Sequence, residues 1–484
     1  MEYSTKENKM IDTSISMMSD AIFRMYDIRG KVGSEMPIDQ VYDLTRAIAY
    51  YFVQQNPDVK TVAVGADGRI HSPEITKSVC KALQDSGLHV LFVGICPSPV
   101  LYFSLFHHPV QAGIMITASH NGKEYNGMKL CLNKEPVAGD QIKQIQEYYR
   151  EKKYSVAKTT GIYSEAPVID EYVAWLKNHF SFLVGMETSV LIDCGNGAAG
   201  TVLPKLLDAM QWKNVDLLYP EVDGNYPNHE ADPIVQENMQ SCIDRVIEKS
   251  YDLGVGLDGD CDRMAPVTGK GELVSGDKQL ALFAYPIVQQ YPKARIVFDI
   301  KCSSGLSELL SAWDATPVMS ATGHSLIKQN MKKTKAVLGG EFSCHFFFAD
   351  KYFGYDDGIY AMLRLFELLH NAATTLDELV SVFPKKVSTS EIRIECDDTQ
   401  KFVIVEAIKK QFLTNNNYQV NDLDGIRAAT HFGWGNVRAS NTQPALSLRF
   451  EADTQEHLSE IKQDFIQALK PYCDYNILQE KIGV

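Results

Sequence analysis

The chain has no Cys-x-x-Cys pair, no apolar run long enough to span a membrane, and no excess of basic charge. Its ten cysteines are scattered singly, which reads as reduced thiols in a cytosol and not as a disulfide framework. Lys and Arg number 47 against 61 Asp and Glu, a formal net charge of −14. That balance argues against general binding of nucleic acid or anionic membrane, either of which needs a basic face, but leaves room for a local cationic pocket. Met1 to Asp20 is polar and mixed and lacks the apolar core of a signal peptide. The expectation is a soluble, cytoplasmic protein with no nucleic-acid or membrane partner. What is present is ordinary for a globular protein, 45% apolar and 22% charged residues, and 484 residues exceed what one core serves. Length alone points to three or four domains.

The most telling stretch runs from Gly113 to Leu130. Ile114, Met115 and Ile116 read as a buried strand, and Met128 to Leu132 reads as a strand returning beside it. Between them Ser119 sits where the first strand runs out, next to His120 and close to Lys123 and Lys129. A hydroxyl among cationic and amide groups is placed to carry something anionic. Upstream, Ile38 to Gln55 carries one apolar helical face, Thr61 to Gly65 is a strand, and Ser72-Pro73 has the form of an N-cap followed by proline. A helix to Gly87 and a strand from His89 to Gly94 complete a strand-loop-helix-strand unit, which implies a parallel sheet with right-handed crossovers. Similar openings recur at Val190 to Asp193 and at Arg295 to Ile300, and Pro384 marks a further boundary. The last hundred residues change character, with strands at Ser390–Glu395 and Leu446–Phe450, helices at Phe402–Leu413 and Leu458–Leu469, and Gly-, Asn- and Ser-rich loops between them. The fold class expected is α/β. Three similar mixed-sheet αβα domains (1–167, 168–272, 273–385) and a smaller C-terminal α+β domain (386–484) are expected.

Gly195-Asn-Gly-Ala-Ala-Gly200 follows a strand, with Asp216 where a ribose-binding acid would lie, so formally it is a dinucleotide fingerprint. Gly254 to Gly259 matches the same pattern, and no other part of an oxidoreductase is visible. Asp258-Gly-Asp-Cys-Asp-Arg263 is more specific. Three aspartates at alternate positions can turn their carboxylates towards one hard cation. An EF-hand loop is excluded because Arg263 replaces the turn glycine and Gly269 stands where a bidentate Glu belongs, so Mg²⁺ fits better. In Gly339 to His345, Glu341 and Ser343 alternate and suit vicinal sugar hydroxyls, and His345 could help move a proton. Arg438-Ala-Ser-Asn-Thr442 reads as a donor-rich loop for a dianionic phosphate, to which Arg427 could add.

Together these stretches resemble the α-D-phosphohexomutase superfamily, and most its bacterial phosphomannomutase/phosphoglucomutase branch. Thr117-Ala-Ser-His-Asn121, Asp258 to Arg263, Gly340-Glu-Phe-Ser343 and Arg438 to Thr442 occur in the family's order, with Tyr26-Asp-Ile-Arg-Gly30, Lys301 and Thr322-Gly-His324 beside them. The resemblance covers the chain from about Phe23 onwards, and it implies that the four domains surround a central cleft. It implies interconversion of hexose 6-phosphate and hexose 1-phosphate, of mannose and/or glucose, through a phosphoserine and a hexose 1,6-bisphosphate. It implies Ser119 as phosphoserine, with Asp258, Asp260 and Asp262 holding Mg²⁺ against it. Glu341 and Ser343 would read sugar hydroxyls, and Arg438, Ser440, Asn441 and Thr442 would bind the phosphate that stays on the sugar. Arg29, His120, Lys129, Arg263 and His345 would serve charge and proton transfer, and Tyr26, Lys301 and His324 would contact substrate. Glucose 1,6-bisphosphate or mannose 1,6-bisphosphate is the implied activator. Phosphoglucosamine mutase and a non-catalytic binder of sugar phosphates are the alternatives. Gly122 and Cys344 depart from the family's usual Pro and Gly, and Cys344 could narrow the sugar pocket.

Overall fold

The computed structural model describes residues 17–397, 399–440 and 444–483. The first sheet comprises β1 (Ile28–Lys31), β2 (Thr61–Ala66), β3 (His89–Ile95), β4 (Ala112–Ile116), β5 (Tyr125–Leu132), β6 (Glu135–Pro136) and β7 (Tyr163–Glu165). Their order is β1-β5-β4-β2-β3-β7, with β6 on β5. Strands β2, β3, β4 and β7 are parallel, whereas β5 runs antiparallel to β4 and β1. The sheet is therefore mixed, as expected. The connection between β4 and β5 is too short for a crossover, so the chain must turn back on itself.

The same scheme recurs. The second sheet has β8 (Val190–Asp193), β9 (Val215–Leu218), β10 (Leu253–Leu257) and β11 (Met264–Thr268), in the order β11-β10-β8-β9. The third has β12 (Arg295–Asp299), β13 (Thr316–Ser320), β14 (Leu338–Gly340) and β15 (Phe346–Phe348), in the order β13-β12-β14-β15. In each, the run of parallel strands gives way to an antiparallel neighbour: β4 to β5, β10 to β11 and β14 to β15. The turns of these three pairs carry Ser119, the three aspartates and Glu341. Each turn also holds one non-glycine residue at positive φ, namely Ser119 (52°), Cys261 (60°) and Cys344 (68°). Backbone of that kind persists only where its surroundings hold it.

The fourth sheet is antiparallel: β16 (Val387–Ser388), β17 (Ile392–Glu395), β18 (Gln419–Asn421), β19 (Ile426–Ala429), β20 (Gly433–Ala439) and β21 (Ala445–Ala452). The stretch from Gln419 to Ala439, expected to be loops, thus forms three strands. Gly433-Trp-Gly-Asn436 breaks the apolar alternation of a strand, and pairing with β19 and β21 overrides that weak local signal. Helices Gln400–Leu413 and Gln455–Leu469 cover this sheet and give it its own apolar core.

One apolar cluster runs through the first three units. Helix Gly358–Ala372 packs against β10 and β11 of the second sheet and against helix Gly276–Gln290 of the third. Ser72 is the first residue of its helix and not its cap: the hydroxyl donates to buried Asp67 at 2.9 Å and accepts from Asn126. Among the described residues, no helix is long and apolar enough to cross a membrane.

Candidate active site

Ser119 is 3% exposed, and its hydroxyl donates to Asp258 Oδ2 at 2.9 Å. His120 Nδ1 lies 3.1 Å from Ser119 Oγ. Burial, then the nearby cations Arg263, Arg29 and Arg393, hold the His120 imidazole well below its usual range, so the ring is neutral at neutral pH. The turn is clasped from behind by Arg69. Its guanidinium donates to the carbonyls of Ser119 (2.7 Å), Asn121 (2.6 Å), Gly122 (2.8 Å) and Tyr125 (3.1 Å), while Nε pairs with Asp67 at 3.1 Å. Arg29, paired with Asp27, reaches the turn from the other side through the Asn121 side chain at 2.7 Å.

The aspartate turn meets Ser119 directly. A Cβ on Gly259 would lie 2.6 Å from the Ser119 carbonyl oxygen, so only glycine permits this approach. Ligand atoms of Asp258, Asp260 and Asp262 lie within 4.8 Å of one another, all in buried positions. Asp260 Oδ1 and Asp262 Oδ1 are buried and make no hydrogen bond among the described residues. Burial and the neighbouring Asp262 push the Asp258 carboxyl up to about 8, the signature of charges gathered without enough compensation. A donor set of three carboxylates with free oxygens fits a hard divalent cation. Lys129 donates to Asp260 at 2.6 Å and to Asp262, Ser98 donates to Asp260 at 2.5 Å, and Arg263 pairs with Asp258 at 3.1 Å.

The third turn joins this one through a backbone bridge between Arg263 and His345. His345 Nδ1 lies 3.2 Å from Asp356 and 3.6 Å from Asp262, and after the opposing effect of burial these carboxylates raise its pKa. The rings of His324 and His345 stack at 5.9 Å. Burial, then Lys328, hold the His324 imidazole well below its usual range. Glu341 accepts from the Gly323 amide at 2.6 Å, and burial pushes its carboxyl up to about 7. Ser343 lines the same cleft, as do Tyr26 and Lys301. The Tyr26 hydroxyl donates to the Thr322 carbonyl, and Lys301 pairs with Glu391 at 3.1 Å.

The fourth domain closes the cleft with Glu391, Arg393, Arg438 and Ser440. Arg438 lies on strand β20 and not in a loop, 4% exposed, with Nε on Asp424 at 2.8 Å. Its Nη2 is buried without a hydrogen bond among the described residues. Asn441 and Thr442 lie outside the described residues.

Four profiles of one family match in sequence order. They are phosphoglucomutase/phosphomannomutase alpha/beta/alpha domains I (residues 20–155), II (170–271) and III (275–387) and the C-terminal domain (391–468). The chain belongs to the phosphoglucomutase/phosphomannomutase family. It is a phosphohexomutase, an isomerase. It is 41% identical to a phosphomannomutase/phosphoglucomutase of Pseudomonas syringae pv. tomato, over 94% of this chain and 96% of that one. Identity to a phosphoglucomutase of Neisseria gonorrhoeae is 36%, over 92% and 95%. A solved structure of a phosphoglucomutase/phosphomannomutase family protein from Burkholderia thailandensis superposes with a TM-score of 0.85 at 33% identity, covering 94% of this chain and 98% of that one.

Several groups of this phosphohexomutase are not where the motifs alone place them. Arg427 does not face the cleft: its guanidinium lies 3.7 Å from the Trp434 ring and donates to the carbonyls of Ile300 (2.6 Å) and Cys302 (2.8 Å), docking the fourth domain on the third. The Cys344 thiol is buried against Gln279 and not among the cleft-lining side chains. The left-handed φ at this position accounts for a preference for glycine there. The Gly195–Gly200 turn buttresses the aspartate turn and does not cradle a dinucleotide, since Ala198 N–H donates to the Gly259 carbonyl at 2.9 Å. Asp216 accepts from Tyr251 and lies away from that turn's cleft side. Arg69, Asp356, Glu391, Arg393 and Asp424 carry no motif of their own. The one local signal is the pairing of Asp67 with Arg69 across a Gly in the loop after β2.

Proposed function

We propose that this phosphohexomutase interconverts the 6- and 1-phosphates of mannose and glucose through a phosphorylated Ser119 and a hexose 1,6-bisphosphate. The observation that carries the reading is the Ser119 hydroxyl, 2.9 Å from Asp258 at the meeting point of three turns that bear anion-, metal- and sugar-directed groups. A sugar hydroxyl oxygen attacks the phosphorus of phospho-Ser119, the P–Oγ bond breaks, and the new P–O ester makes the bisphosphate. The hydroxyl proton passes to the neutral imidazole of His324, while His345, whose pKa Asp262 and Asp356 raise against the opposing effect of burial, adds charge compensation. After the sugar turns over, Ser119 Oγ attacks the other phosphate and the proton returns. Phosphoryl transfer relies on positioning and charge neutralisation, which Arg29, Lys129 and Arg263 supply around Ser119.

Asp258, Asp260 and Asp262 would hold Mg²⁺, which when bound supplies Lewis acidity at the transferring oxygens. A distant fold neighbour, an N-acetylphosphoglucosamine mutase of Aspergillus fumigatus, has been solved with glucose 1,6-bisphosphate, and in another crystal with GlcNAc-6P and magnesium. The relatives' names favour mannose and glucose over glucosamine. A coupled assay comparing mannose 1-, glucose 1- and glucosamine 1-phosphate, with Mg²⁺ and a bisphosphate activator, tests the proposal. Turnover of the first two that disappears with chelator and returns with Mg²⁺ is the expected result, and preference for glucosamine 1-phosphate would refute the substrate reading.

Arg438 is proposed to bind the phosphate that stays on the sugar. Arg438→Ala is expected to raise KM by roughly 10- to 100-fold, the loss of one charged hydrogen bond of about 1.5–3 kcal/mol, with a smaller change in kcat. As a carboxylate Glu341 accepts from sugar hydroxyls more strongly than as the acid, which turns one of its oxygens into a donor. Because burial raises its pKa above the ordinary range to about 7, it is protonated below neutrality and ionises as pH rises. KM for glucose 1-phosphate is therefore expected to fall as pH rises through neutrality. Glu341→Gln, which cannot titrate, should remove that dependence while the substrate's own phosphate ionisation stays in both profiles.

A further inference from the structure

A cavity of about 550 Å³ lies outside the cleft, between the β5–β6 turn of the first domain and helix His324–Thr334 of the third. That volume is within the range of small-molecule sites. Phe106, Phe353 and Tyr355 form an aromatic cluster in its wall, with ring centroids 4.6 to 6.0 Å apart. Lys134, Lys332 and Lys335 stand at its rim, exposed, and Lys134 Nζ sits 4.7 Å from the centre of the Phe106 ring. Glu135 is the one acidic residue of the lining and is paired with Lys332 at 2.6 Å. A second groove of about 410 Å³ shares Glu135, Pro136 and Lys332 and adds Lys333. In a chain of net charge −14, a local excess of lysine over an aromatic wall selects an anion that also carries a flat ring.

The cavity is one side chain from the catalytic cleft. Lys328 lines it, lies 5.4 and 5.6 Å from the centres of the Tyr102 and Phe347 rings, and donates to Asp356 Oδ1 at 2.8 Å. The other oxygen of Asp356 is the one 3.2 Å from His345. A phosphate that draws on Lys328 competes with Asp356 for the same ammonium, and so changes what His345 faces. We infer that this cavity binds a nucleoside monophosphate, with the base against the aromatic wall and the phosphate among the lysines, and that its occupancy is felt in the cleft through Lys328 and Asp356.

Isothermal titration of the full-length protein with AMP, adenosine and inorganic phosphate tests the assignment. AMP is expected to bind one site per chain, at least about tenfold more tightly than either fragment, and not to be displaced by glucose 1-phosphate. Lys134→Glu with Lys335→Glu, both exposed and outside the cleft, should weaken AMP at least about tenfold and leave basal turnover unchanged. Phe106→Ala should weaken AMP without altering the response to inorganic phosphate. Saturating AMP should change kcat/KM for glucose 1-phosphate at least about twofold in the parent and not in the double variant. No heat with millimolar AMP, affinity undiminished by the charge reversal, equal affinity for inorganic phosphate, or displacement by glucose 1-phosphate would each overturn the site. Unaltered turnover at saturation would overturn the coupling.

Discussion

Ser119→Ala is expected to lower turnover by at least about 10⁴-fold, the scale seen when a nucleophile is removed from an otherwise intact site. The hydroxyl is the one atom the proposed reaction cannot replace, because both half-reactions make or break a bond to it. The substitution is clean. Ser119 already sits at φ 52° with a Cβ, so alanine adds no new backbone clash, and the Arg69 bonds run to main-chain carbonyls that remain. Hexose phosphate should still bind, since Glu341, Ser343 and Arg438 come from other domains. Intact-mass measurement supplies the second readout. A fraction of the parent should carry one phosphoryl group that the variant lacks. A variant that turns over at a tenth of the parental rate would end the phosphoserine reading.

Arg69→Met is expected to cost about 10²- to 10³-fold in kcat with little change in KM, together with about 3–5 kcal/mol of stability. Two separate losses are involved. Asp67, fully buried, loses its partner, and breaking a buried ion pair by removing one member costs that amount. Four carbonyls of the Ser119 turn lose their donor, and a turn with a left-handed serine has no intrinsic preference for the shape it is held in. Each loss of about 1.36 kcal/mol in transition-state stabilisation is a factor of ten. Arg69→Lys separates the two. A lysine restores charge opposite Asp67 but cannot fork to four carbonyls, so stability should recover while kcat stays low. Chemical denaturation and steady-state kinetics on both variants make the measurement. If Arg69→Lys restored kcat in step with stability, Arg69 would be reduced to a purely structural residue.

The candidate site was legible wherever chemistry is packed into a short run. The three aspartates at alternate positions, the Ser-His-Asn turn and the Glu-Phe-Ser turn announce themselves because a hairpin connection must present several side chains from a few residues. Arg438 was legible as a residue but not as a strand position, since Gly433, Gly435 and Asn436 suppress the alternation that reveals β20. Arg427 was misplaced for a related reason: an arginine near an anion-directed segment has the same local appearance whether it faces ligand or pins two domains together. Cys344 could be seen to depart from the family's pattern, but not that its thiol turns towards Gln279.

The amino-acid sequence by itself determined the repeated α/β units, the family, and the residue types proposed to meet the sugar, the phosphate and the cation, because each depends on neighbours along the chain. Only the tertiary structure decided that three turns from three sheets converge on one cleft, that Arg69 holds the Ser119 turn from behind, and that Lys328 and Asp356 stand between the cleft and a second cavity. Those relations join residues far apart in the chain, and nothing in local spacing records which distant carbonyl or carboxylate a buried cation will find.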